Sequence, residues 1–160
     1  MELSYMTIRR MEVNDLEFFH RVRTSSLEYI HNQTEYSYGD VLVWFNNLNQ
    51  PNNGYYIAEI GGVPIGYFRT SNWDLINGHA YVGMDIAEEH RGKGYAIPAY
   101  KEFFKKLRKE NGLHTVYLEV LNTNRRAIHV YNKLGFTILK VLPYEGGDVF
   151  TCSVKMGLKL

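Results

Sequence analysis

His90-Arg91-Gly92-Lys93-Gly94-Tyr95-Ala96 interrupts two strongly patterned segments. Before it, His79 to Ile86 alternates like a strand. After it, a helix is expected from about Lys93 to Asn111, with Ile97, Tyr100, Phe104 and Leu107 on one stripe and Gly112 at its end. Glycines between a strand and a helix keep Cβ atoms away from outward N–H groups, and the helix start adds positive dipole. Arg91 and Lys93 add charge, so a pyrophosphate fits here. Taken alone, a short Gly-x-Gly favours a tight turn with solvated charges. Two common phosphate loops are excluded. The near match to a Walker loop, Gly61 to Gly66, is followed by Tyr67. The dinucleotide fingerprint needs Gly or Ala three residues beyond Gly94, where this chain has Ile97.

Upstream, Ser4 to Arg9 alternates as a strand. Asn14, with Glu17 at capping-box spacing, is expected to start a helix carrying Leu16, Phe19 and Val22 inward. Polar residues and tyrosines fill Thr24 to Ser37. A second helix is expected from about Asp40, with Val41, Trp44, Phe45 and Leu48 on one side. Tyr55 to Ile60 and Val63 to Thr70 flank Gly61-Gly62, a hairpin signal. Downstream come a strand over Thr115 to Leu121 and a helix over Asn124 to Leu134, stopped by Gly135. Strands over Phe136 to Leu142 and Val149 to Leu158 pair across Glu145-Gly146-Gly147-Asp148. This order gives an α/β fold with a mixed, mostly antiparallel sheet of about seven strands and about four helices.

Composition narrows the function. A chain of 160 residues, 45% hydrophobic and 22% charged, suits one domain, 1–160. The 18 Lys+Arg against 17 Asp+Glu leave +1, so no whole-chain field for nucleic acid or an anionic membrane exists. Cys152 stands alone, which excludes an intrachain disulfide or a CxxC site; it reads as a small buried residue. The charged N-terminus lacks a signal-peptide core and no apolar run reaches membrane length, so a cytoplasmic protein is expected. The six histidines, His79 and His129 among them, show no metal-ligand spacing, and no metal is expected.

Two motifs carry a resemblance. Arg91-Gly92-Lys93-Gly94-Tyr95-Ala96 is similar to the R/Q-x-x-G-x-G/A acyl-CoA loop of the GNAT N-acetyltransferase superfamily. About thirty residues on, Leu118-Glu119-Val120 through Asn124, Ala127-Ile128, Tyr131 and Lys133-Leu134-Gly135-Phe136 resembles that family's second signature. The likeness is to ribosomal-protein N-terminal acetyltransferases in the C-terminal half. Arg23-Thr24, Tyr29-Ile30-His31 and Trp44 to Leu48 look somewhat like amino-sugar N-acetyltransferases. Ala96 replaces the commoner Gly, and Pro98 falls near the helix start, where its missing N–H costs little.

The resemblance implies acetyl-CoA as co-substrate and acetyl transfer to a primary amine: an amino sugar, a protein N-terminus or another small amine. The alternative is a non-catalytic acyl-CoA-binding module; a lookalike that binds partners without CoA is disfavoured by the intact loop. The reaction must deprotonate the amine, polarise the thioester carbonyl, meet the departing thiolate with a proton and hold the reactants together. Tyr131 is the candidate acid, since a phenol is neutral at pH 7; the other reading is that it completes an apolar stripe. Asn124, two helical turns earlier on the same face, is implied to contact the CoA arm. Glu119 is the candidate base, matching a Glu of the N-terminal acetyltransferases; it is equally a solvated strand residue. Asp85 is the second candidate base, or an acceptor for a tyrosine hydroxyl. Backbone groups of Met84, Asp85 and Ile86 are implied to bond the pantetheine arm, one N–H polarising the carbonyl. The pyrophosphate would meet Arg91, Gly92, Lys93, Gly94, Tyr95 and Ala96. Arg125 and Arg126 are CoA-phosphate ligands or ordinary exposed arginines.

The acceptor side is expected between Leu27 and Trp44, with Tyr29, His31, Tyr36, Tyr38 and Trp44, and at the last hairpin. The expected partner is a small-molecule or peptide amine, with no nucleic acid and no membrane; a homodimer is allowed. Protein N-terminal amines and polyamines stay open as acceptors; the lack of a strongly acidic cluster counts slightly against polyamines.

Overall fold

A computed structural model describes residues 5–47, 54–145 and 150–160. The expected positions at Ser4, Leu48 and 146–149 lie outside the described residues. The strands are β1 (Met6–Arg10), β2 (Gly54–Ile60), β3 (Val63–Asp74), β4 (His79–Ile86), β5 (Thr115–Leu121), β6 (Thr137–Pro143) and β7 (Cys152–Lys159). The helices are α1 (Leu16–Ser25), α2 (Tyr38–Asn46), α3 (Ala96–Asn111) and α4 (Arg125–Leu134). They build one seven-stranded sheet in the order β1-β2-β3-β4-β5-β7-β6. Every neighbouring pair is antiparallel except β4–β5.

Strand alternation sends successive side chains to opposite faces. Tyr56, Phe68, Ala80, Val82, Val116 and Leu118 pack with Tyr100, Phe103, Phe104 and Leu107 of α3 and Tyr131 of α4. Ile57 and Tyr67 face the other way, onto Leu16, Phe19 and Val22 of α1 and Val41 of α2. The sheet therefore has an α3/α4 face and an α1/α2 face.

Several boundaries move for physical reasons. Asn14 does not cap α1. A single 3-10 turn, Val13–Asp15, precedes the helix, and Asp15 accepts from the Glu12 N–H at 2.8 Å while bound by Arg9 at 2.7 and 2.8 Å. The second helix starts at Tyr38 rather than Asp40, because Ser37 and Asp40 form a reciprocal capping box. The third helix starts at Ala96 rather than Lys93, since Gly92 and Gly94 adopt φ of 73° and 80°, outside helical space. Pro98 thus falls in the first turn, where its missing N–H has no intrahelical role. β3 runs on to Asp74, past an irregularity where Asn72 takes a φ of 49°. Cys152 is half-buried at the start of β7 rather than buried.

Candidate active site

The parallel pair β4–β5 holds its register only at His79↔Thr115, Ala80↔Val116 and Tyr81↔Tyr117. Beyond Tyr81, β4 pairs only with β3, and β5 only with β7. The two strands part there, and the inner backbone edge of Val82 to Ile86 is left without a strand partner. Buried backbone groups need partners, so such an edge is suited to an extended amide-bearing chain.

A cavity of about 350 Å³ opens at this parting. Met84, Asp85 and Ile86 line one wall, and Asn124, Arg125, Arg126, Ala127, Val130 and Tyr131 the other. Its mouth is formed by Arg91, Gly92, Gly94, Tyr95 and Ala96. Of the residues expected at the site, only Glu119 and Lys93 are not among those lining it. Lys93 is exposed on the loop. Glu119 is exposed on β5, opposite Lys155 on β7.

Arg91 lines the mouth and is also held by the protein itself. Its Nε donates to the Ile86 carbonyl at 2.9 Å and an Nη to Ser26 Oγ at 2.9 Å. The side chain fastens the glycine loop to the end of β4 and to Ser26, just past α1. A Cβ at Gly92 or Gly94 meets nothing within 4 Å, so these positions need glycine for their positive φ and the open mouth.

Asn124 caps α4 through its Oδ1, which accepts from the Ala127 N–H at 3.2 Å. That leaves its Nδ2 to the cavity. Tyr131 is buried, and Tyr100 donates to its hydroxyl at 3.4 Å. Burial pushes the Tyr131 hydroxyl above its ordinary pKa, so it keeps its proton at neutral pH. Asp85 accepts from the Tyr67 hydroxyl at 2.5 Å, the tyrosine partnership anticipated for it. Burial, followed by the Asp85 charge, drives the Tyr67 hydroxyl well above its ordinary value.

Alternation separates these groups. Val82 and Tyr131 belong to the α3/α4 core, while Asp85 bonds Tyr67 of the α1/α2 core. Glu119 alternates with buried Leu118 and Val120 and so also faces the α1/α2 side. The parting joins the two faces, with the phenol on one side and the two carboxylates on the other.

The sequence of this chain matches the acetyltransferase (GNAT) family over residues 16–136. The chain belongs to that family. It is an N-acetyltransferase, with acetyl-CoA as co-substrate and an amine as acceptor. Among its relatives is an N-alpha-acetyltransferase of Sulfurisphaera tokodaii, 28% identical over 113 residues, 64% of this chain and 67% of the relative. Another is a spermidine N(1)-acetyltransferase of Vibrio cholerae, 26% identical over 137 residues, 83% of this chain and 79% of the relative. The solved structure of spermidine N-acetyltransferase from Vibrio cholerae with CoA and spermine superimposes with a TM-score of 0.90 at 23% identity, covering 98% of this chain and 96% of that one. The non-catalytic alternative finds no support among them.

The aromatic acceptor segment is dispersed. Tyr29 lines the main cavity, beside His90 of the glycine-loop segment and Ser26, which the sequence did not single out. The His31 Nε2 lies 2.7 Å from Ser153 Oγ. Trp44 stacks on Phe19 at 5.4 Å, a packing role, and with Tyr36 and Tyr55 walls a second hollow of about 450 Å³. Tyr38 is exposed and touches only His20 among the rings. His79 and His129 stand away from the cavity. Among the described residues no helix is long and apolar enough to cross a membrane.

Proposed function

We propose that the cavity at the β4–β5 parting is where acetyl-CoA lies and where its acetyl group passes to the amine. The observation that carries this reading is the end of β4–β5 pairing at Tyr81↔Tyr117, which frees the backbone of Met84 to Ile86 opposite Tyr131 and Asn124. Loop N–H groups at Gly92 to Ala96 take the pyrophosphate. Backbone groups of Met84 to Ile86 hold the pantetheine arm, and one N–H there polarises the thioester carbonyl as it becomes an oxyanion. Asn124 Nδ2 bonds the arm from the other wall.

The amine arrives from the α1/α2 face. Glu119, whose carboxylate has no hydrogen-bond partner among the described residues, takes its proton directly or through water. Asp85 holds Tyr67 and is the second candidate for that task. The amine attacks the carbonyl carbon, the C–S bond breaks, and Tyr131 gives its proton to the thiolate. The acceptor is a small-molecule or peptide amine.

We further propose a cytoplasmic location and a homodimer. The edge strand β6 leaves Ile138 and Val141, on one face, at 63% and 60% exposure, an apolar strip that a second copy would cover. A thiol-release assay with acetyl-CoA across amino sugars, N-terminal peptides, amino acids and polyamines tests the transfer. Release with at least one amine class is expected; acetyl-CoA turnover with none would contradict it.

A further inference from the structure

The second hollow, of about 450 Å³, is walled by four rings, Phe19, Tyr36, Trp44 and Tyr55, with Val41 and Val43. Arg23, Asn32 and Asp40 supply polar lining, and each is engaged within the chain. Arg23 donates to the carbonyls of Asn32 and Thr34 at 3.0 and 2.8 Å, and its guanidinium lies over the Tyr36 ring at 4.7 Å. Asn32 Oδ1 accepts from the Thr34 N–H at 3.1 Å, and Asp40 Oδ2 from the Ser37 N–H at 2.9 Å. Among the described lining residues Arg23 and Asp40 carry the charge, one of each sign, so the hollow offers a ligand no net charge. A concave site of this size, mostly aromatic and uncharged, suits an apolar group.

The hollow and the main cavity share a wall. The connection from α1 to α2 puts Tyr29 in the main cavity and Asn32 and Tyr36 in the hollow. Its course is fixed by Arg23 and by the His20 Nε2, which lies 2.7 Å from the Tyr36 carbonyl oxygen. On the sheet below, Tyr55 of β2 is in register with Arg69 of β3, and Arg69 with Gly83 of β4, on the edge that faces the parting. Neighbouring strands are about 4.8 Å apart, so the floor of the hollow lies about 10 Å from that edge. An extended chain, at roughly 3.3–3.6 Å per residue, covers this span in about three residues. At the rim Val43 is 61% and Tyr36 37% exposed, apolar surface that a ligand would cover.

We propose that this hollow takes an apolar or aromatic group of the acceptor, carried about 10 Å from the amine that is acetylated. This rests on the acetyl-transfer reading above and names its substrate class. The bulky third residue of a peptide and the aryl end of a long-chain amine present the same chemistry, so the test must separate them. A polyamine would set its distal cation against one carboxylate, Asp40, that already caps α2.

The experiment measures kcat/KM by thiol release for matched pairs: Gly-Gly-Phe amide against Gly-Gly-Gly amide, and phenylhexylamine against benzylamine, whose ring is too close to its nitrogen to reach the hollow. Spermidine is run alongside. The wild-type enzyme is expected to prefer the long apolar member of at least one pair by about tenfold or more, the scale of burying one ring. The pair showing the preference identifies the source. Phenylhexanol, which has no amine, should inhibit in competition with the acceptor. In Val43→Asp and in Tyr36→Ser, both at the exposed rim, the preference should fall towards one, mainly through KM. The wild-type comparison stands even if neither variant folds. Equal use of both members of each pair, a preference for spermidine, or inhibition by phenylhexanol that does not compete with the acceptor would overturn the inference and leave the transfer reading in place. Acetyl-CoA turnover with no amine at all would overturn the underlying reading and this inference with it.

Discussion

Tyr81 and Tyr117 form the last paired position between β4 and β5, and the rings stand 5.7 Å apart on the α1/α2 face. Everything proposed for the chemistry lies just past this pair. β4 and β5 are paired up to it and parted after it, so the proposed acid lies on one face and the proposed base on the other.

Tyr131→Phe removes the proposed acid while keeping the ring. Among the described residues the hydroxyl has one partner, Tyr100 at 3.4 Å, so folding should lose no more than about 1 kcal/mol. General acid catalysis is typically worth ~10²–10⁴, and kcat should fall on that scale with little change in acetyl-CoA affinity. Burial raises the hydroxyl's pKa above about 10, so the wild-type rate should show no loss of this proton up to about pH 9. Unchanged kcat, with chemistry shown to limit the rate, would make Tyr131 a packing residue.

Glu119→Gln should lower kcat/KM most near neutral pH, where the acceptor amine is protonated. The deficit should shrink at high pH, where amine arrives neutral. Asp85→Asn weakens the bond from Tyr67 and should alter activity without reshaping the profile. Exchange of these two outcomes would move the base to Asp85; a flat response to both would leave the reaction without a carboxylate base.

Ile138→Lys with Val141→Lys places charge on the apolar strip of β6. Sedimentation should show a shift from dimer to monomer, without loss of the far-ultraviolet spectrum. An unchanged dimer would locate its interface elsewhere, and a wild-type monomer would remove it.

Asp15→Asn tests what anchors β1 to α1. Asp15 is buried, which works against its charge, yet the bonds from Arg9 and the Glu12 N–H hold it below the usual carboxylate range. Removing that charge should cost about 1–3 kcal/mol in denaturant unfolding at pH 7. The contribution of a depressed carboxylate is present above its unfolded pKa, about 3.9, and is lost as pH falls through the folded value. The gap between wild type and Asp15→Asn should therefore start to narrow at about pH 4 and close only once pH is below the folded value. A gap that persists there would assign the effect to shape rather than charge.

Alternation and helical stripes made most elements readable. His79 to Ile86 and Thr115 to Leu121 keep their expected ends because side-chain alternation and flanking turns are local signals. The parting of β4 from β5 is not local. Nothing in Val82 to Ile86 tells a strand that its neighbour leaves. Arg91 shows the same limit: its partner Ser26 stands 65 residues away, so the brace it forms could not be read beside the phosphate contact its charge suggests. Asp15 displaced Asn14 from the start of α1 because Arg9, on the preceding strand, claims its carboxylate.

Calorimetric titration of acetyl-CoA into the wild-type chain and into Gly94→Glu tests the site most directly. Gly94 has a φ of 80° at the mouth of the cavity, and nothing stands within 4 Å of a Cβ there. The substitution adds about 1–2 kcal/mol of backbone strain and a carboxylate facing the pyrophosphate position. Gly94→Ala carries the strain alone and serves as the control. The account predicts saturable binding by the wild type, a modest loss with Gly94→Ala and a loss of at least about tenfold beyond it with Gly94→Glu. Equal acetyl-CoA affinity in a folded Gly94→Glu chain would contradict it.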